Sequence, residues 1–62
     1  MKLTITIEMD NAAFEEDASM EAARILREMC DRIDGHPHFS PGHSQPLYDL
    51  NGNKVGGFTV SE

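Results

Sequence analysis

Residues 2–9 read Lys2-Leu3-Thr4-Ile5-Thr6-Ile7-Glu8-Met9, apolar at every odd position and polar at every even one. That period of two predicts a β-strand with one face on a core and the other in water. The β-branched Thr and Ile suit a pleated surface better than a helix interior. Further along, the period changes. From Asp17 to Asp34 the side chains Ala18, Ala22, Ile25, Leu26, Met29, Cys30 and Ile33 return every three or four residues, which predicts a helix with one apolar stripe. Its other face carries Glu21, Arg24, Arg27, Glu28, Asp31 and Arg32. Arg24 with Glu28 and Arg27 with Asp31 are i,i+4 pairs, each contributing a few tenths of a kcal/mol when exposed. Gly35 at C′, followed by His36-Pro37, predicts the stop.

Between strand and helix, Asp10-Asn11 supplies turn residues and Glu15-Glu16-Asp17 supplies acids that favour a helix N-terminus through the macrodipole. Asp17 and Ser19 are alternative N-caps, and Phe14 is expected to fold back as a plug on the core. Residues 35–46 hold all three His, all three Pro and two of the five Gly, which predicts a loop. After it, Asn51-Gly52 lies between two β-prone runs and predicts a hairpin over about 47–60. A two-residue turn there calls for a bulge at Gly56-Gly57 to return Phe58 and Val60 to the core side. A three-residue loop, Asn51 to Asn53, does so without one. Both versions make Tyr48, Leu50, Phe58 and Val60 core candidates.

The element order is thus β-α-β-β. The expected fold class is α+β: one domain spanning 1–62, with the helix on one face of a three-stranded sheet. The right-handed crossover rule makes the first and second strands parallel, with the third between them and antiparallel to both.

Sixty-two residues with no Trp, one Tyr and three Phe leave little material for a core. Chains below about 70–80 residues seldom gain more than roughly 3–5 kcal/mol from one core and usually lean on a metal, a disulfide or a second subunit. Cys30 is the single cysteine, so an intrachain disulfide is excluded, and its place on the apolar stripe predicts a buried, inert thiol. A homodimer is the expected staple, formed through the edge of the first or second strand or through spare helix positions such as Met20 and Ala23. No run approaches the roughly 18 apolar residues that cross a bilayer, and the opening strand lacks a signal-peptide core. The expected location is the cytoplasm, with no membrane partner.

Eleven Asp/Glu against five Lys/Arg give a net charge of −6, which disfavours direct binding of nucleic acid. The charge is also clustered. Glu8, Asp10, Glu15, Glu16, Asp17 and Glu21 lie in residues 8–21 with no Lys or Arg among them. Such a segment can steer association with a basic surface on a protein partner, including a nucleic-acid-binding groove, and its bland alternative is a solvated acidic surface.

Other chemistry is thinner. His36, His38 and His43 have a spacing that could serve zinc, copper or nickel, but a Pro-rich surface loop is the simpler account and no cofactor is assigned. Asp49-Leu50-Asn51-Gly52-Asn53 resembles the start of a calcium loop, yet Gly52 is at the fourth position instead of the sixth and the twelfth lacks Glu. These are turn residues, with Asp49 and Lys54 a candidate cross-strand ion pair. With the cysteine on the helix stripe and the histidines in a distant loop, nothing assembles a nucleophile and base, and a domain this small hardly encloses a pocket. The expectation is a non-enzyme.

The strings MKLTITIEMDNAAF (1–14), EAARILREMCDRI (21–33) and LYDLNGNKVG (47–56) resemble small uncharacterised proteins of tailed phages and prophages. Those open with a strand and a D-N-A-A-F turn, continue with an A-R-I-L-R helix and close with a D-x-N-G-N-x-V-G hairpin. The likeness runs through Asp10–Phe14, Ala23–Arg27 and Asp49–Gly56 and lapses in the His/Pro loop. It implies a phage accessory role by stoichiometric protein binding, by analogy with inhibitors of host defence such as anti-CRISPR proteins. A structural subunit of a virion or larger assembly is a separate expectation for so small a chain.

Overall fold

The computed structural model describes residues 1–35 and 39–62. The alternating stretch forms β1 (Lys2–Ile7), the turn residues after it form a 3-10 turn (Ala12–Phe14), and the 3.6-period stretch forms α1 (Ala18–Asp34). The chain returns as β2 (Ser44–Tyr48) and β3 (Lys54–Ser61). The three strands make one sheet in the order β1-β3-β2, with β3 antiparallel to both neighbours. The molecule is therefore α+β with the expected β-α-β-β order and strand arrangement.

Helix ends follow from local chemistry. Asp17, not Ser19, is the N-cap: its Oδ1 accepts from Met20 N at 3.0 Å and from Ser19 Oγ at 2.9 Å. Gly35 closes the helix at φ −87° and ψ 1°, in the right-handed region and not in the left-handed one common at C′. Its N–H still returns to Asp31 O at 3.3 Å. Asn11 caps the 3-10 turn in the same way as Asp17 caps the helix, its side chain accepting from Ala13 N at 3.2 Å.

Strand β2 starts earlier than the loop composition suggested, taking in Ser44, Gln45 and Pro46. Proline is tolerated there because β2 is an edge. Val60 N donates to His43 O at 2.8 Å, so by the alternation of an antiparallel ladder Gln45 and Leu47 point their backbone groups at β3 while Pro46 points outward. No ladder bond is lost.

The hairpin differs from both expected versions. Residues 49–53 form the connection, Asp49 N donating to Asn53 O at 2.9 Å and Gly52 N to Asp49 O at 3.1 Å. Gly52 has φ +85°, a conformation glycine adopts without a side-chain clash. The register slips between Leu47 and Tyr48: Leu47 faces Gly56 and Tyr48 faces Lys54, so Val55 is the extra residue. The bulge is at Val55, one step before the glycines. Consequently Leu47 and Val55 join Phe58 and Val60 in the core, whereas Tyr48 is 44% and Leu50 72% exposed.

Gly56 and Gly57 serve a different need. A Cβ on Gly56 would stand 1.8 Å from the Thr6 carbonyl oxygen, and one on Gly57 2.8 Å from that of Gln45. The central strand is gripped from both sides at these two residues.

The core comprises Phe14, Ile25, Met29, Leu47, Val55 and Phe58, with Ile7, Ala13, Leu26, Ile33 and Phe39 packed on its margin. Phe14 is the expected plug. Cys30 departs from expectation: it is exposed, because the buried line of the helix runs through Glu21, Ile25 and Met29 and position 30 lies well round from it. The closest approaches of α1 are to the 3-10 turn and β2, so the helix lies toward one side of the sheet. On the other side the inner-facing Leu3 and Ile5 of β1 stay 41% and 40% exposed.

Candidate protein-binding site

Two carboxylates turn inward to shape it, Glu21 of the acidic segment and Asp49 of the hairpin loop. Glu21 is buried. Its Oε1 accepts from Arg24 Nε at 2.8 Å, and its Oε2 accepts from Arg24 Nη2 at 3.1 Å and from Leu50 N at 2.7 Å. Asp49 is buried too. Its Oδ1 accepts from Asn51 N at 2.9 Å and Asn53 N at 2.8 Å, and its Oδ2 from Asn53 Nδ2 at 3.2 Å and Asn11 Nδ2 at 2.7 Å. Glu21 therefore ties the 49–53 loop to the helix, and Asp49 ties it to the turn that follows β1.

Each acid is held ionised by its donors. The Arg24 guanidinium, with Leu50 N, keeps Glu21 below the usual glutamate range against the cost of burial. At Asp49 burial is the largest single influence and acts upward, but the hydrogen bonds from Asn53, Asn11 and Asn51 together outweigh it and leave the group lowered. Asp17 is lowered by Met20 N and then by the Ser19 hydroxyl.

With the loop fixed, residues Ala12, Ala13, Glu15, Glu16, Asp17, Met20, Glu21, Leu50 and Asn51 enclose a notch of about 360 Å³. Glu15, Glu16 and Asp17 are exposed on its wall. Met20 and Leu50, 66% and 72% exposed, give it an apolar component. Of the six acids that the sequence grouped, Glu8 and Asp10 are exposed beyond the notch, and Glu21 is corrected from a surface acid to an internal one, because the buried line of α1 passes through it. Asp17 sits at the rim with one oxygen committed to capping. Met20 and Leu50 were not among the grouped residues. The sequence offers Met20 for a self-contact and Leu50 for the core, and no periodicity tells that the loop turns Leu50 outward.

The other proposed constellations fare differently. Asp49 spends its oxygens on Asn11, Asn51 and Asn53 and is not the cross-strand partner of Lys54. His36 and His38 lie outside the described residues. The His43 ring stands 5.9 Å from Phe39 and 5.7 Å from Phe58 between centroids, with its Nε2 3.3 Å from Gln45 Nε2. It belongs to the aromatic margin of the core. Among the described residues no three His, Cys, Asp or Glu side chains gather as metal ligands, and no helix is long and apolar enough to cross a membrane.

No protein-family model matches the chain, and no curated protein or solved structure proved similar to it.

Proposed function

We propose that this chain acts by stoichiometric binding of a protein partner, without turnover, through the notch framed by Glu15, Glu16, Asp17, Met20 and Leu50. The observation that carries the reading is the pairing of chemistry there. Exposed large apolar side chains rimmed by acids of one sign match what recognition surfaces use: apolar area for affinity and charge for steering and register. The underlying loop is held by Glu21 and Asp49, so little ordering cost falls on binding.

The partner's chemistry follows by complementarity. It presents Lys or Arg around an apolar contact, as a protein does whose own surface handles nucleic-acid phosphate. With the phage likeness, the reading becomes an accessory protein that occupies such a surface on a host defence or nucleic-acid-handling factor. Immobilised protein is challenged with host lysate at low and at about 0.5 M salt. The expected result is a partner retained at low salt, weakened at high salt, and lost with the double variant Glu15→Lys/Glu16→Lys or with Leu50→Ser. Capture that is indifferent to salt and to these substitutions, or turnover of a substrate by the purified chain, overturns the proposal.

A further inference from the structure

Among the described residues no strand pairs with the outer edge of β1, and that edge has a symmetry of its own. Counted outward from Ile5, Thr4 mirrors Thr6, Leu3 mirrors Ile7, Lys2 mirrors Glu8 and Met1 mirrors Met9. Each pair matches in chemistry, and the single charged pair has opposite signs. Backbone direction agrees with that centre. Glu8 N donates to Val55 O at 2.8 Å, so by ladder alternation the even residues of β1 aim their N–H and C=O groups at β3 and the odd ones aim theirs outward. The outward set is Leu3, Ile5 and Ile7, flanked by Met1 and Met9.

We propose that two copies of this chain associate through their β1 edges, antiparallel and centred on Ile5. In that register Ile5 exchanges both backbone hydrogen bonds with Ile5 of the second copy, and Leu3 does so with Ile7 of the second copy. On the outer face Thr4 meets Thr6 and Lys2 meets Glu8, twice over by symmetry. A one-residue slip would forfeit both charge pairs and put like residues out of step. The two-fold axis stands normal to the sheet, so both helices lie on the same face of a continuous sheet made of two sets of three strands. Beneath them the inner-face residues Leu3 and Ile5, 41% and 40% exposed in the single chain, with Met1 at 78% and Met9 at 51%, form one shared apolar floor. The contact is isologous and closes on itself, which prevents open-ended growth.

The β1 edge shares no residue with the notch, so loss of one contact leaves the other intact. Sedimentation velocity of the full chain from about 5 μM to 1 mM should show a monomer–dimer equilibrium. Lys2→Glu and Glu8→Lys, each placing like charges opposite one another at both symmetric positions, should weaken it about tenfold. The double variant Lys2→Glu/Glu8→Lys should restore it to within about threefold, and thermal melts confirm that all three variants fold. Amide exchange followed by NMR reads the register directly: Leu3, Ile5 and Ile7 become protected as concentration rises, whereas Thr4 and Thr6 are protected throughout by their bonds to β3. A chain that stays monomeric to 1 mM, a dimer in which the β2 amides gain protection, or a double variant as weak as the single ones overturns the proposal.

Discussion

The two edges of the sheet are treated differently. At β2, Pro46 removes one backbone donor, and the helix supplies side chains to the outward carbonyls. Arg32 Nη1 donates to Pro46 O at 2.8 Å and Arg24 Nη2 to Tyr48 O at 3.3 Å. Arg24 is itself held by Glu21 and by Glu28. This edge is defended by the means that keep strands from pairing at random. Strand β1 has no proline and no bulge, and its charges stand only at its ends. The helix that guards β2 leans away from β1. One sheet therefore carries a closed edge and an open one, and the side on which the helix lies is the difference between them.

That contrast can be broken from the covered side first. Leu47, fully buried in β2, should cost about 2–5 kcal/mol when replaced by Ala. The same truncation at Leu3 in β1 should cost less than half as much at dilute concentration, because its side chain is 41% exposed. Urea unfolding of both variants checks the ratio, and equal losses would mean that β1 is covered as fully as β2.

Next in size are the glycines. Gly56→Ala sets a methyl against the Thr6 carbonyl, a 1.8 Å approach, and should destabilise by roughly 1–3 kcal/mol or more. The damage should fall on β1, read as faster exchange of the Thr4 and Thr6 amides. Gly57→Ala, 2.8 Å from the Gln45 carbonyl, should loosen β2 instead.

Smaller still is the guard on the closed edge. Arg32→Met keeps the aliphatic stem and loses the bond to Pro46 O, a cost of about 1 kcal/mol. Its sharper readout is association through β2, with concentration-dependent protection of outward β2 amides that the parent chain lacks.

The gentlest probe is pH. Asp17, Glu21 and Asp49 all have lowered values in the folded chain, so between the folded and unfolded values the unfolded chain binds more protons and stability rises with pH. Their contribution is complete above the ordinary carboxylate range, near 3.8 for Asp and 4.5 for Glu, and drains away as the pH falls below it. Thermal melts should be flat in this respect above about pH 5.5 and fall steadily below about pH 4.5. Asp49→Asn should reduce that acid dependence and lower the melting temperature at pH 7. An unchanged profile would show that Asp49 is not held ionised by its ring of donors.

Much of this architecture is legible in the amino-acid sequence. The period of two in β1, the period of three and four in α1, and the turn chemistry at Asn51-Gly52 named the elements, and the crossover rule named the strand order. The candidate site was half legible. Local charge counting finds Glu15 and Glu16, but it makes Glu21 a surface acid, and cross-strand pairing makes Asp49 half of an ion pair, whereas both are buried and shape the notch. Most donors are close in sequence, Arg24 three residues past Glu21 and Asn51 and Asn53 just past Asp49, but one on each acid comes from a distant segment, Leu50 N on Glu21 and Asn11 Nδ2 on Asp49, and those leave no mark in the neighbouring sequence.

By itself the sequence determined the elements, their order and the face β1 turns to the core, since side-chain periodicity and capping act over a few neighbouring residues. Only the tertiary structure decided how fully each face is covered. The bulge at Val55 brought Leu47 and Val55 inward while Tyr48 and Leu50 remain exposed, and the lateral seat of α1 over β2 left Leu3 and Ile5 exposed. Those outcomes depend on where the helix comes to rest across the sheet, a balance of packing and arginine-to-carbonyl bonds between residues far apart in the chain, which no stretch of it encodes alone.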